Sequence, residues 1–319
     1  MQYRRLGSSG LKVSEIALGS WLTYGDYVED RIAAECVMKA LELGVNMFDT
    51  ANSYVDGAVE RVLGRALSRV PRDEYVIATK VFFPMGSGPT SRGLSRKHVI
   101  EQCHASLRRL GTGHIDIYQC HRDDPDVPLD ETLGALDDLV RQGLVLYVGV
   151  SEWPAALLRR AVVRQRERGL DPVVSHSPEY SLLCRSIERE LLSVCSELGL
   201  GVVAYQALAQ GILTGRYRAR EAPAPGSRAA DRDHGQWMRE LMGDEVLDAV
   251  EKLKVVAAEA GLTTAQLAIA WVLRRPEVSS VIVGASSSAQ LAENVAASGI
   301  RLDHDRIAAA EAIMSVAAV

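Results

Sequence analysis

The stretch VNMFDTANSY, Val45 to Tyr54, decides how the chain is read. A short apolar run of strand character stops at an acid, Asp49, and a tyrosine, Tyr54, follows five residues later. The figure recurs downstream: YVIATK closes on Lys80, and IDIYQCH closes on His121. A single strand-end charge is ordinarily a solvated group or a turn cap. Three successive near-continuous apolar strands, each ending in an ionisable group, suit a buried parallel sheet whose strands deliver chemistry to one edge.

Outward from that stretch, strand-like runs alternate with amphipathic segments. The strands are expected at Ile16–Leu18, Asn46–Phe48, Tyr75–Thr79, Ile115–Gln119, Val145–Val150, Val173–Ser175, Gly201–Tyr205 and Ser280–Val283. Helical patterns fall at Asp30–Leu43, Glu60–Arg69, Ser95–Leu110, Asp130–Arg141, Pro154–Arg168 and Ser186–Leu198. Gly44, Gly111, Gly143, Gly169 and Gly199 supply stop signals. Eight strands, nearly all followed by a helix, predict an α/β fold, a (β/α)8 TIM barrel, as one domain over residues 1–319. Residues 2–15 read as an N-terminal β-hairpin around SSG that plugs the barrel bottom. Between Leu213 and Asp244 an Arg-, Pro- and Gly-rich stretch reads as a long functional loop on the C-terminal side. A doubly wound dinucleotide-binding sheet would want G-x-G-x-x-G after an early strand, and the chain has none.

Composition narrows the function classes. The chain is 319 residues long and 47% hydrophobic, enough for a large core. A net charge of −5 gives no argument for nucleic acid or an anionic membrane. Five scattered cysteines without a C-x-x-C favour buried thiols over a disulfide framework or a metal site. There is no apolar signal core, and the longest apolar run, Leu198 to Ala209, is too short for a bilayer, so a cytoplasmic protein is expected.

A barrel gathers Asp49, Tyr54, Lys80 and His121 at its C-terminal rim, and the chemistry they suit is carbonyl reduction. The developing alkoxide needs a proton, and a phenol supplies it. Lys80 is expected to lower the phenol pKa by roughly two to three units, about 3–4 kcal/mol. Asp49 would keep Lys80 charged, and His121 would orient the carbonyl. A Schiff-base role for Lys80 would need a neutral amine, which Asp49 opposes.

With GSSGLKVSEIALGSW, NMFDTANSY, the ATK at 78–80, RGLSRKHVIE, HRDDPDVPLDET, GVSEW and GASSSAQLAEN in order, the chain resembles the aldo-keto reductase superfamily. It is most similar to the branch holding the β subunits of voltage-gated potassium channels and their bacterial relatives. The resemblance implies a catalytic tetrad of Asp49, Tyr54, Lys80 and His121. It also implies NADPH lying extended across the rim. Ser20, Trp21 and Asp49 would flank the nicotinamide end, with Ser151, Glu152 and His176 facing its carboxamide. Tyr205 would stack on the ring. Gln206, Ala207, Leu208, Ala209 and Gln210, with Arg216 and Arg228, would hold the pyrophosphate. Gly284, Ser286, Gln290, Glu293 and Asn294 would hold the adenosine and its 2′-phosphate. The family pattern has Ser-Asn where this chain has Ser151-Glu152, and Gln at His176. The substrate wall is expected from Trp21, Tyr24, Phe82, Phe83, Met85, Arg122 and Trp153, which suits an apolar or ring-shaped carbonyl compound. The resemblance implies an NADPH-dependent reductase of a ketone or aldehyde and a homo-oligomer, a tetramer or larger. A ketoreductase of polyketide or deoxysugar biosynthesis is the specific expectation. A reductase of small aldehydes and an NADP-sensing regulatory subunit are the rivals.

Overall fold

The computed structural model describes residues 1–21, 23–25, 28–231 and 235–315; residues 232–234 of the expected cofactor loop lie outside the described residues. Two short antiparallel strands, β1 (Tyr3–Arg5) and β2 (Lys12–Ser14), form the N-terminal hairpin. Eight parallel strands then close a barrel: β3 (Ile16–Gly19), β4 (Met47–Asp49), β5 (Val76–Val81), β6 (Ile115–Cys120), β7 (Val145–Ser151), β8 (Val173–Ser177), β9 (Gly201–Ala204) and β10 (Val278–Val283). The helices α1 (Asp30–Glu42), α2 (Ala58–Leu67), α3 (Arg96–Leu110), α4 (Leu129–Arg141), α5 (Ala155–Arg168) and α6 (Leu191–Leu198) each follow one strand. After β9 come α7 (Asp244–Glu259) and α8 (Thr264–Leu273), and after β10 come α9 (Ser288–Val295) and α10 (His304–Met314). All five expected glycine stops have positive φ, from 62° to 81°. Among the described residues no single helix is long and apolar enough to cross a membrane.

Two cores follow from the pleat, because successive strand residues face opposite sides. Ile16, Phe48, Ile77, Tyr118, Val148 and Val202 point outward, into the layer shared with the helices. Ala17, Met47, Ala78, Ile117 and Val203 point inward, and Leu6 and Val13 of the hairpin close that inner cluster from below. The hairpin sits close: the Ser8 N–H donates to Gly199 O at 2.8 Å. A Cβ on Gly7 would lie 2.4 Å from Gly201 N, so this contact requires glycine.

One irregularity resets the inner layer. In the β7–β8 ladder Val148 pairs with Val173 but Gly149 pairs with Ser175, leaving Val174 as an extra residue. Past that bulge Ser175 and Ser177 turn inward, and His176, opposite Val150, turns outward.

Candidate active site

The inward positions at the C-terminal end of the barrel are polar and buried: Asp49, Lys80, Gln119, Ser151 and Ser177. The loop after β4 keeps pairing with β5, since the Thr50 N–H donates to Ala78 O and the Asn52 N–H to Lys80 O. This pairing carries the chain over Lys80 and sets Tyr54 above it. The helix behind is fixed too: buried Glu60 of α2 accepts from Thr79 Oγ1 at 2.6 Å and pairs with Arg109 Nε at 2.6 Å.

Lys80 Nζ lies 2.5 Å from Asp49 Oδ1 and 3.0 Å from Thr50 O, and it reaches Tyr54 Oη at 3.3 Å. Burial works against the ammonium, but Asp49 and Tyr54 outweigh it and hold Lys80 above its ordinary pKa. Gln119 Nε2 donates to the second oxygen of Asp49 at 3.4 Å. Gly149 makes room for that side chain, because a Cβ there would lie 2.9 Å from Gln119 Cγ. The His121 ring sits edge-on to Tyr54 with centroids 5.7 Å apart, and Phe83 packs edge-on to it at 4.9 Å. Burial, then Lys80 and Arg122, push the imidazole well below its ordinary pKa, so it is neutral, and its Nδ1 is buried with no partner among the described residues.

The expected lowering of the Tyr54 pKa is not what the structure gives. Burial raises it, Lys80 opposes burial, and the net direction is up. The ammonium offsets desolvation rather than making a ground-state phenolate.

A cleft of about 870 Å³ opens above this floor, toward the upper end of the usual ~300–1,000 Å³ of cofactor pockets. Of the residues expected around a nucleotide, Trp21, Asp49, Ser151, Tyr205, Gln206, Ala207, Leu208 and Gln210 line it, as do Arg216, Arg228, Gly284, Ser286 and Gln290. Others do not. Ser20 is buried and donates to Asp49 O; Ala209 is buried in the outer core. Asn294 is buried and donates to Gly284 O, while Glu293 is exposed on α9. His176 faces away because of the Val174 bulge, and its Nε2 lies 3.1 Å from both the N–H and the carbonyl oxygen of Trp153. Glu152 turns to the Glu179 N–H at 2.7 Å. The inward place goes to Ser177, whose buried hydroxyl lines the cleft with no partner among the described residues. Helix α9 is capped by Ser287, not Ser286, whose N–H and Oγ both donate to Gln290 Oε1.

On the substrate side, Trp21, Tyr24, Phe83 and Arg122 line the cleft, joined by Val55, Pro84 and Glu179. Trp153 is instead buried in the outer core, and Phe82 packs against that core with its edge to Phe83. Met85 is tied by its N–H to Ser91 O, off the cleft. Sequence reasoning missed Gln119, Ser177 and Glu179. Gln119 was legible: it shares strand parity with Ile117 and His121.

A parallel eight-stranded barrel with an ion-paired lysine feeding a phenol at its rim defines a proton-handling site of the oxidoreductase kind. The chain belongs to the aldo/keto reductase family, whose model matches residues 15–315. It is 38% identical over 300 residues to a probable voltage-gated potassium channel subunit beta of Arabidopsis thaliana, covering 93% of this chain and 91% of that one. The same name is carried by a rice protein, 39% identical with the same coverage. A putative subunit of Schizosaccharomyces pombe is 41% identical over 303 residues, covering 92% of this chain and 87% of its own. Family membership makes the protein an oxidoreductase of the kind that generally uses a nicotinamide nucleotide.

Proposed function

We propose that the protein is an NADPH-dependent carbonyl reductase in which Tyr54 delivers the proton. The observation that carries this reading is the chain Asp49–Lys80–Tyr54, at 2.5 and 3.3 Å, beside a neutral His121. The bound nucleotide would supply the hydride. Ser151, Ser177 and Tyr205 are the groups placed to hold its nicotinamide end, and Arg216, Arg228 and Ser286 its phosphates. The orphaned Ser177 hydroxyl fits a carboxamide that can both donate and accept.

The acceptor carbonyl sits under Tyr54 Oη and the His121 ring. A phenol held above its ordinary pKa keeps its proton until negative charge develops on the substrate oxygen, and Lys80 then stabilises the phenolate left behind. The neutral imidazole donates or accepts a hydrogen bond without adding charge. Trp21, Tyr24, Phe83 and Val55 favour an apolar or ring-shaped ketone or aldehyde, the class to which polyketide and deoxysugar intermediates belong.

The rival reading is a nucleotide-sensing subunit, favoured by the names of the plant and yeast relatives. Consumption of NADPH and NADH against a carbonyl panel separates the two. Turnover with NADPH, reduced at least about a hundredfold in Tyr54→Phe, supports the reductase. Tight nucleotide binding without turnover in either protein favours the sensor.

A further inference from the structure

Glu152 and Glu179 are carboxylates that proton delivery does not use. Glu152 leaves β7 in the left-handed region, with φ 58°, and holds the Glu179 N–H at 2.7 Å. Glu179 lines the cleft, and its segment is laced to Tyr205: the Tyr180 N–H donates to Tyr205 O, and the Tyr205 N–H to Pro178 O, both at 3.1 Å. The two acids therefore bracket Tyr205, whose phenol is pushed up by burial and then by both of them. No ion pair within 4.0 Å joins either acid to a base among the described residues, and the cation that acts on Glu179 from further off is Arg122. At this end of the cleft Asp49 and Lys80 cancel, His121 is neutral and Arg122 is positive. Burial and then Glu152 hold Glu179 above the ordinary carboxylate pKa, and Arg122 opposes them; with both acids ionised, three carboxylates against two cations leave one net negative charge facing the place where a hydride donor must lie to reach a carbonyl under Tyr54.

A nicotinamide ring is cationic when oxidised and neutral when reduced. We infer that Glu152 and Glu179 make this end of the cleft discriminate between the two redox states, so that the protein binds the oxidised nucleotide more tightly than the reduced one. The inference rests on the nicotinamide lying beside Tyr54 and Tyr205, as proposed above. A unit charge at this depth, in a medium of intermediate dielectric, changes an ionic affinity by about tenfold. Glu152 is the better handle, since it stands behind Tyr205 and does not line the cleft. Tight binding of the oxidised form also favours hydride donation on the protein and makes NADP+ a strong product inhibitor.

The test measures dissociation constants for NADP+ by calorimetry and for NADPH by fluorescence, on the full chain, for wild type, Glu152→Gln and Glu152→Asn. Asparagine tolerates a left-handed φ, so the second variant removes the charge without adding backbone strain. The expected result is tighter NADP+ than NADPH binding in the wild type. That preference shrinks about tenfold in both variants, almost wholly through weaker NADP+. The wild-type preference for NADP+ is itself a readout that survives even if the variants do not fold. An equal or reversed preference in the wild type overturns the inference, as does a ratio unmoved by both variants. If the wild type binds neither nucleotide, the nicotinamide reading falls with it; if it binds both with a flat ratio, only the inference falls.

Discussion

The floor of the cleft and its rim are built on opposite terms. The floor is strand: Asp49 and Lys80 sit on β4 and β5 in regular pairing and bury an ion pair at 2.5 Å. The rim is turn. Of the seven non-glycine residues with positive φ among the described residues, six stand on turns framing the cleft: Val55, Asp56, Glu152, Gln206, Ala209 and Gln210. The floor concentrates its energetics in a few charges that cannot be removed singly. The rim spreads small backbone strain over many residues, each tolerable alone. Substitutions on the floor should therefore be costly, and those on the rim mild or even stabilising.

The largest effect belongs to Lys80→Met. It leaves the Asp49 carboxylate buried, with only Gln119 at 3.4 Å to satisfy it among the described residues. Breaking one half of a buried pair costs about 3–5 kcal/mol. The double variant Asp49→Asn, Lys80→Met should regain a good part of that stability, although not the activity, because no orphan charge remains. Urea unfolding of both singles and the double measures the coupling. A single-variant loss under about 1 kcal/mol would put the pair in contact with water and erase the contrast with the rim.

That contrast also governs what was legible in the sequence. Strand count, hairpin plug and helix stops followed from periodicity and glycine placement. Asp49, Lys80 and His121 followed from strand ends, because alternation leaves no freedom once the strand is placed. Gln119 was available by the same parity. His176 and Ser177 were not, because nothing in VVSHS marks Val174 as an extra residue, and one extra residue exchanges the faces of everything after it. Phe82, Met85 and Trp153 were assigned to the cleft by nearness in the chain, but on loops the fold, not the period, decides which way a side chain turns. The sign of the Tyr54 shift depended on weighing burial against one ammonium, and burial is a property of the assembled barrel.

His176 gives an intermediate test of the floor from its outer side. Burial pushes this imidazole from 6.5 down to about 4, and the ring meets the Trp153 backbone through Nε2 at 3.1 Å. Above pH 6.5 the histidine is neutral in folded and unfolded chains alike, so its contribution is fully present. As pH falls below 6.5 the unfolded chain takes up a proton that the folded one refuses. Stability is then lost progressively until the folded pKa is reached. At 1.36 kcal/mol per unit this amounts to about 2 kcal/mol by pH 5 and about 3 kcal/mol by pH 4. His176→Gln should flatten that slope by about one proton while His121, His98 and His114, also pushed down by burial, keep their share. Unfolding free energies at pH 7 and pH 5 measure it; an unchanged slope in the variant would mean that His176 already reaches water.

The smallest effect lies on the rim, where the sign itself is the test. Val55 holds φ 47° and ψ 51°, and a β-branched side chain in the left-handed region is strained by about 1–2 kcal/mol. Val55 is 45% exposed, so little burial is lost on removing its side chain. Val55→Gly relieves the strain but adds unfolded-chain entropy worth roughly 0.5–1 kcal/mol. The balance is a gain of about 0.5 kcal/mol, seen as a small rise in Tm. Val55 also lines the cleft beside Tyr54, so the same variant should raise KM for an apolar ketone several-fold with kcat nearly kept. A more stable variant with weaker substrate binding would show that the rim holds strain in exchange for contact with substrate. A less stable one would show that Val55 packs tightly enough to outweigh its backbone, and that the rim is built on the same terms as the floor.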